Sequence, residues 1–202
     1  MTIRKGSGYG EHQPLPLEAP VASSDAQLRE LVVASRSSNS MPITVGLLGG
    51  DLSKTLGGSG DRSRLSGPDA LTVPVDLGIA TVDGIEVPFV SHLLVGSLFR
   101  RDFLVAMNAQ WRDGLDLGPR SHPGDGLLDI TTGSLPWGQR RAARKRARTG
   151  THLPHPSLSY RRTSSDSVEF DHPVTLCVDG ALKLKARSLE LRVEPDAYFV
   201  VL

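Results

Sequence analysis

Apolar residues early in the chain recur at three- and four-residue intervals, as in the stretch Leu28–Val32. This spacing predicts a helix that buries one face. Ser24 and Gln27 stand directly before the stripe at the distance of a capping box, which places the start of the helix at Ser24. The polar run 35–40 is expected to end it.

A continuous apolar run, 43–48, predicts a short buried strand. Gly49, Gly50 and Asp51 follow this run and lead into a second short helix. Strand, glycine turn and helix make the single α/β unit of the sequence. Residues 1–20 combine alternating glycines with three prolines and predict an irregular arm.

From residue 58 onward, short β-rich runs alternate with turn residues. The predicted strands are 71–77, 79–82, 85–90, 103–109, 127–131, 174–178, 182–185, 189–193 and 198–201. Asp83-Gly84 and Asp179-Gly180 each lie between two such runs and predict hairpins. The sequence therefore predicts an α+β fold that is predominantly β. A truncated α/β remnant (1–57) precedes an antiparallel β-sandwich (58–202) that carries one basic helix.

The formal net charge is only +1, but the positive charge is concentrated in one segment, 139–148. Its six cations are Arg140, Arg141, Arg144, Lys145, Arg146 and Arg148. The rest of the chain carries 17 positive and 22 negative residues, so a protein that coats nucleic acid is excluded. The segment predicts a solvated helix face or a surface for anionic lipid headgroups. Since aromatic residues are not interleaved with its charges, nucleic acid is not expected as a partner.

Cysteine content and hydropathy restrict the cellular setting. The single cysteine, Cys177, excludes an intramolecular disulfide and an all-cysteine metal site. Without a long apolar run or a secretory leader, the chain is expected to be cytoplasmic. The basic helix would allow a peripheral position at the inner face of a membrane.

Three short segments carry residues suited to ligand chemistry. After a strand, Gly49 and Gly50 would let backbone N–H groups approach phosphate oxygens, and Asp51 would hold Mg²⁺ or simply cap the helix at 52–56. The Asp–Gly turns within 121–129 suit a hard cation or a tight turn. His152 lies three residues from a second histidine, but the intervening proline disfavours a helical zinc pair, so a contact with a phosphate or with a neighbouring carboxylate is the alternative.

Four segments, in this order, resemble motifs of the diacylglycerol kinase-like lipid kinases, a family related to sphingosine kinases and more distantly to NAD kinases. The matching segments are 49–56 (GGDLSKTL, like "GTxNDxARxL"), 119–130 (PRSHPGDGLLDI, like "DDGLLDV"), 150–156 (GTHLPHP, like "G-x-H…HP") and 178–180 (VDG, like "DGE"). The resemblance covers 27–202 and is best in the second half, the β-sandwich domain. It implies an α/β nucleotide domain followed by a sandwich, with ATP between them. It also implies a structural Mg²⁺ held by Asp125 and the carbonyls of His122 and Leu127.

The sequence departs from the family pattern at two places that matter for catalysis. The glycine motif "GGDGT" would fall at 21–26, which reads VASSDA, and the strands and helix that precede it have no counterpart. The glutamate of "DGE", the family's general base, is replaced by Ala181, so no catalytic residue is assigned. Losing a phosphate cradle and a general base costs most of the catalytic power of phosphoryl transfer.

The leading hypothesis is therefore a lipid-kinase-like protein with degenerate catalysis. It would bind a lipid or a phosphate-bearing small molecule, would have little or no stand-alone kinase activity, and would bind ATP poorly. Two alternatives remain: an ATP-dependent diacylglycerol kinase whose site is rearranged or completed by a partner, and an anionic-membrane module that uses 139–148. A homodimer also stays open.

Overall fold

The computed structural model describes residues 9–101 and 103–202, so Gly6 and Gly8 of the predicted arm lie outside the described residues. The helices are α1 (Asp25–Ser37), α2 (Asp51–Thr55) and α3 (Trp137–Arg146), with 3₁₀ turns at Arg62–Ser66 and Ala147–Thr149. The strands are β1 (Glu11–His12), β2 (Val21–Ala22), β3 (Thr44–Leu47), β4 (Leu71–Val82), β5 (Ile85–Phe89), β6 (His92–Val95), β7 (Phe103–Met107), β8 (Trp111–Arg112), β9 (Leu115–Asp116), β10 (Leu128–Gly133), β11 (Leu158–Thr163), β12 (Ser165–Val178) and β13 (Leu182–Val201). None of the described helices is both long and apolar enough to span a membrane.

The α/β unit is built from two parallel strands, each followed by a helix. β2 pairs in parallel with β3, and β3 pairs in parallel with the end of β13. Helix α1 begins as predicted, because the Ser24 side chain accepts a hydrogen bond from the Gln27 N–H at 3.3 Å. Since parallel strands end at the same edge, the turns that start α1 and α2 lie side by side.

The rest of the chain forms an antiparallel sheet in the order β4-β13-β12-β6-β7-β10-β11, and β5 pairs with the outer part of β4. Both predicted hairpins are confirmed, at Asp83-Gly84 and Asp179-Gly180. The separately predicted runs 189–193 and 198–201 are parts of one strand, β13, which has an irregularity between Glu194 and Tyr198. The prediction of an α+β fold that is predominantly β is confirmed.

Two large apolar clusters make up most of the core. One lies on the antiparallel sheet around Phe89, Leu93 and Leu176, and the other lies between α1, α2 and the sheet. The second cluster includes Val75 and Tyr198, so β4 and β13 contribute to both units. These strands of the second predicted domain therefore pack against residues of the first, and the predicted boundary between residues 57 and 58 itself stays a prediction.

Candidate functional site

The two turns at the carboxyl edge of β2 and β3 are packed so closely that glycine is required. A Cβ atom added at Gly49 would lie 2.5 Å from the Ser23 carbonyl oxygen. Gly50 has a φ of 97°, and a Cβ there would lie 2.3 Å from Asp25 Oδ1. Gly49 and Gly50 therefore allow the two turns to pack closely, because a side chain at either position would clash with the other turn.

Asp25, and not Asp51, is the side chain that caps α2. Its Oδ2 accepts the Asp51 N–H at 2.8 Å, and its Oδ1 accepts the Leu52 N–H at 3.1 Å. Asp51 is instead the first residue of the helix, so the alternative in which it caps 52–56 is wrong. Asp25 is only 6% exposed. Burial, with a smaller contribution from the Asp51 charge, raises the pKa of Asp25 to about 6.

Asp51 lies at the open side of this arrangement, under the β8–β9 hairpin. Its Oδ2 accepts the Asp113 N–H at 3.0 Å. The Lys54 ammonium lies 3.5 Å from the centre of the Trp111 ring, a cation–π contact that holds the lysine near the same hairpin. Burial raises the pKa of Asp51, while the charges of Arg112 and Lys54 act in the opposite direction.

His92, at the start of β6, is 2% exposed and faces the two aspartates. Its Nδ1 lies 3.1 Å from Ser91 Oγ, whereas its Nε2 is buried without a hydrogen-bond partner among the described residues. One ligand atom each of Asp25, Asp51 and His92 lies within 4.8 Å of the others. Burial, together with the Arg112 charge, lowers the pKa of His92 to about 3, so the ring is neutral near pH 7.

Asp179 connects the β12–β13 turn to the same region. Its carboxylate accepts N–H groups from Val90 at 3.0 Å, Ser91 at 2.9 Å and His92 at 3.1 Å. Burial raises its pKa to about 7 despite these bonds. Ala181 is two residues further along and is exposed.

No family model matches the chain, and no curated protein does. Solved structures do match. Two structures of a proposed diacylglycerol kinase from Bacillus anthracis str. Sterne superpose with TM-scores of 0.64 and 0.67, at 11% and 13% identity. Each match covers 89% of this chain and 76% of the other. A structure of a diacylglycerol kinase from the same strain has a TM-score of 0.56 and 14% identity, covering 78% of this chain and 66% of the other.

The chain has a diacylglycerol kinase-like fold. Within this fold, the segment where the sequence lacks "GGDGT" forms the β2–α1 turn, and the shortened "GTxND" segment forms the β3–α2 turn. The two segments therefore lie next to each other. Residues 23–25 of one turn contact residues 49–51 of the other turn directly.

In the segment predicted to bind Mg²⁺, the carboxylate of Asp125 is paired with the side chain of Arg162. Asp125 Oδ1 accepts the Leu127 N–H at 3.0 Å, and its Oδ2 forms an ion pair with Arg162. Arg162 Nε also lies 2.8 Å from Oδ1 of the buried Asp129. The carbonyl of His122 accepts the Asp125 N–H at 3.2 Å. The Mg²⁺ site on His122, Asp125 and Leu127 stays a prediction, and a guanidinium group already lies at its carboxylate.

The predicted basic surface is largely exposed in this diacylglycerol kinase-like fold. Its exposed cations are Arg141, Arg144, Lys145, Arg146 and Arg148. Arg140 is half-buried and donates from Nε to the Leu135 carbonyl at 2.8 Å. His152 lines a groove together with Arg146 but is itself buried, 3% exposed, with its ring centre 5.9 Å from that of Phe99, and burial lowers its pKa to about 4. Trp137, at the start of α3, is 85% exposed.

Sequence reasoning missed Asp25, His92 and the capping role of Asp179. Asp25 stands in the first turn of a predicted helix, where the helix dipole stabilises an acidic side chain. This position was the one local feature of the sequence that could have drawn attention to Asp25. Nothing in the sequence around His92 marks it, because the two aspartates that it faces, Asp25 and Asp51, are more than 40 positions away.

Proposed function

We propose that the chain binds a phosphate-bearing ligand beside Asp51 and has little or no stand-alone lipid kinase activity. The observation that carries the proposal is the pair of cations, Lys54 and Arg112, whose charges act on Asp51. Lys54 is exposed. Arg112 Nη1 forms an ion pair with the exposed Asp113 at 3.3 Å, and its Nε is buried without a hydrogen-bond partner among the described residues. Phosphate oxygens, like carboxylate oxygens, are strong acceptors for guanidinium and ammonium groups.

The backbone of the glycine turn contributes little to such a ligand. The N–H groups of Asp51 and Leu52 already bind Asp25, so a nucleotide phosphate would have to displace a buried carboxylate. This competition supports weak ATP binding. It also leaves side chains, rather than a loop of free amides, as the donors to phosphate.

The arrangement of acids argues against efficient phosphoryl transfer. Ala181 offers no proton acceptor, and Asp179 already accepts three backbone N–H groups. Glu169 and Asp171 line a separate groove of about 950 Å³ together with Arg101 and Phe170. Without a positioned base, the rate should fall by a further 10²–10⁴-fold, as an order of magnitude.

The decisive experiment measures ATP-dependent phosphorylation of diacylglycerol in mixed micelles. We expect no turnover above that of Asp51→Ala. Robust turnover that Asp51→Ala abolishes would overturn the degenerate-kinase proposal and favour the active-kinase alternative.

Ligand binding is tested with two sources of phosphate: ATP and pyrophosphate in solution, and phosphatidic acid in phosphatidylcholine vesicles. All titrations contain EDTA. Arg112→Met and Lys54→Met should each weaken binding about tenfold, because a hydrogen bond to a charged group contributes about 1.5–3 kcal/mol. Lys183→Met, at an exposed lysine of β13, is the matched control. If no phosphate probe binds, or if both variants bind like the parent, the proposal fails.

A second candidate function, peripheral membrane binding, is supported by the surface of α3. A shallow groove of about 650 Å³ is lined by Arg141, Arg144, Lys145 and Arg148, and the exposed Trp137 lies at the start of the same helix. Cations near an anionic surface contribute up to about 1 kcal/mol each, and tryptophan favours the membrane interface.

Sedimentation with phosphatidylserine-containing vesicles tests the membrane candidate. Binding should fall steeply with salt and in a variant that replaces Arg141, Arg144 and Lys145 by Gln. Replacing Lys183, Lys185 and Arg187 by Gln, three exposed cations of β13, controls for total charge. Equal binding of both variants, or full binding by neutral vesicles, would contradict a role for α3.

A further inference from the structure

We infer that Asp25, Asp51 and His92 form a binding site for a divalent transition-metal ion of the Zn²⁺ class. The three side chains come from the starts of α1, α2 and β6, and their ligand atoms lie within 4.8 Å of one another. A tetrahedral ion with bonds of about 2.0–2.2 Å holds its ligand atoms about 3.4 Å apart. Small side-chain rotations of these three residues would therefore close the site around an ion.

The buried imidazole is the observation that points to a ligand. His92 Nε2 is enclosed without a hydrogen-bond partner in the described part of the chain. Leaving a buried polar atom unpaired costs about 1–3 kcal/mol, so such atoms usually have a function. A metal ion at the two carboxylates would satisfy this nitrogen.

The hydroxyl of Ser91 lies where it can favour the tautomer that metal binding needs. Its Oγ lies 3.1 Å from His92 Nδ1, and the hydroxyl lowers the pKa of Asp25. When the hydroxyl accepts the N–H of Nδ1, the lone pair of His92 is on Nε2. Such a second layer of hydrogen bonds orients the ligands of many metal sites.

The carboxylates keep capacity for a metal despite their other bonds. Each Asp25 oxygen accepts one backbone N–H, and a carboxylate oxygen has two lone pairs. Asp51 uses Oδ2 for the Asp113 N–H, and among the described residues no hydrogen bond reaches its Oδ1.

The donor set selects the kind of ion. Two carboxylates alone would suit Mg²⁺, whereas an added imidazole favours Zn²⁺ and its neighbours in the first transition row. Three protein ligands leave a fourth position for an exchangeable ligand. This position would face the half-buried Asp51 side, where Arg112 and Lys54 carry positive charge, so an anionic oxygen fits there.

Zinc binding is measured by calorimetry on EDTA-treated full-length chain, without phosphate, so that its outcome is independent of the proposed phosphate ligand. We expect one Zn²⁺ per chain, undisturbed by excess Mg²⁺. With Co²⁺ as a spectroscopic substitute, visible absorption bands should appear and should disappear when Zn²⁺ is added.

Variants identify the ligands. His92→Ala and Asp51→Asn should each weaken Zn²⁺ binding at least 100-fold, and Ser91→Ala about tenfold through the tautomer. His122→Ala, at the separately predicted Mg²⁺ site, is the control and should leave binding unchanged. Circular dichroism checks that each variant is folded, and Ser91→Ala and Asp51→Asn keep the test valid if His92→Ala does not fold. Absence of Zn²⁺ binding by the parent chain, or unchanged binding in folded Asp51→Asn and Ser91→Ala, would overturn the inference.

Discussion

The carboxylate of Asp25 accepts the backbone N–H of Asp51 at 2.8 Å, so the first residue of α1 caps a helix that begins 26 residues later. The bond joins two strand–turn–helix units whose turns approach closely at Gly49 and Gly50. In this fold, the donors that a phosphate-binding loop would present to a ligand are used inside the protein. The donors that we propose for a ligand are therefore the side chains of Lys54 and Arg112.

Replacing Asp25 by Ala should lower the free energy of unfolding by about 1–2 kcal/mol, since a lost helix cap typically costs that much. The variant leaves the N–H groups of Asp51 and Leu52 without their partner. Urea unfolding followed by circular dichroism measures the change. Asp69→Ala removes an equal charge from an exposed position and should change stability by less than about 0.5 kcal/mol. Equal stability of the two variants would show that the cap contributes nothing.

Two glycine-to-alanine substitutions should have opposite effects on stability. A Cβ at Gly78 would lie 2.3 Å from the ring of Phe89 on the paired strand, so Gly78→Ala should destabilise the protein by about 1–3 kcal/mol. At Gly138, in α3, nothing lies within 4 Å, and alanine favours the helix by up to about 1 kcal/mol. Urea unfolding of both variants tests the pair. A stabilised Gly78→Ala would mean that Phe89 moves aside freely.

Local signals were sufficient to predict the elements that depend on neighbours in sequence. The cap at Ser24, the hairpin at Asp83-Gly84 and the basic helix α3, which is followed by Gly150 at a φ of 66°, are of this kind. The continuity of β13 was not predictable, because the strand pairs with β4 on both sides of the irregularity that contains Pro195.

Most of the candidate site could not be predicted from the sequence either, because it depends on contacts between residues that are far apart along the chain. Asp51 could be singled out because it follows a strand and a glycine turn. Its partners Asp25 and His92 are brought to it by the order of strands in the sheet, and Arg162 reaches Asp125 across a strand pair in the same way. No spacing rule along the chain encodes these contacts.

Arg162 should be more important for stability than any exposed cation. It pairs with Asp125 and with Asp129, which is 1% exposed and also accepts the Tyr160 hydroxyl at 2.6 Å. Arg162→Met should cost about 3 kcal/mol or more, because it leaves a buried carboxylate without its counter-ion. Thermal and urea unfolding measure this loss.

Arg192→Met is the matched control for Arg162→Met. Arg192 pairs with Glu86 and Glu194 at the surface, and such pairs contribute about 0–1 kcal/mol. Similar losses in the two variants would contradict the assignment of Arg162 to a buried ion pair.

The burial of His152 should make the protein lose stability in mild acid. Its pKa is lowered from 6.5 to about 4, so the unfolded chain binds a proton there that the folded protein does not. The protonation of His152 therefore does not affect the stability of the folded protein above pH 6.5. As the pH falls from 6.5 to 4, protonation of His152 in the unfolded chain lowers the free energy of unfolding by up to about 3 kcal/mol. Urea unfolding at a series of pH values should give a shallower dependence for His152→Gln than for the parent chain. His172→Gln, at an exposed histidine, should retain the parent's dependence. If His152→Gln keeps the parent's slope between pH 6.5 and 4, then His152 is not the group that takes up this proton on unfolding.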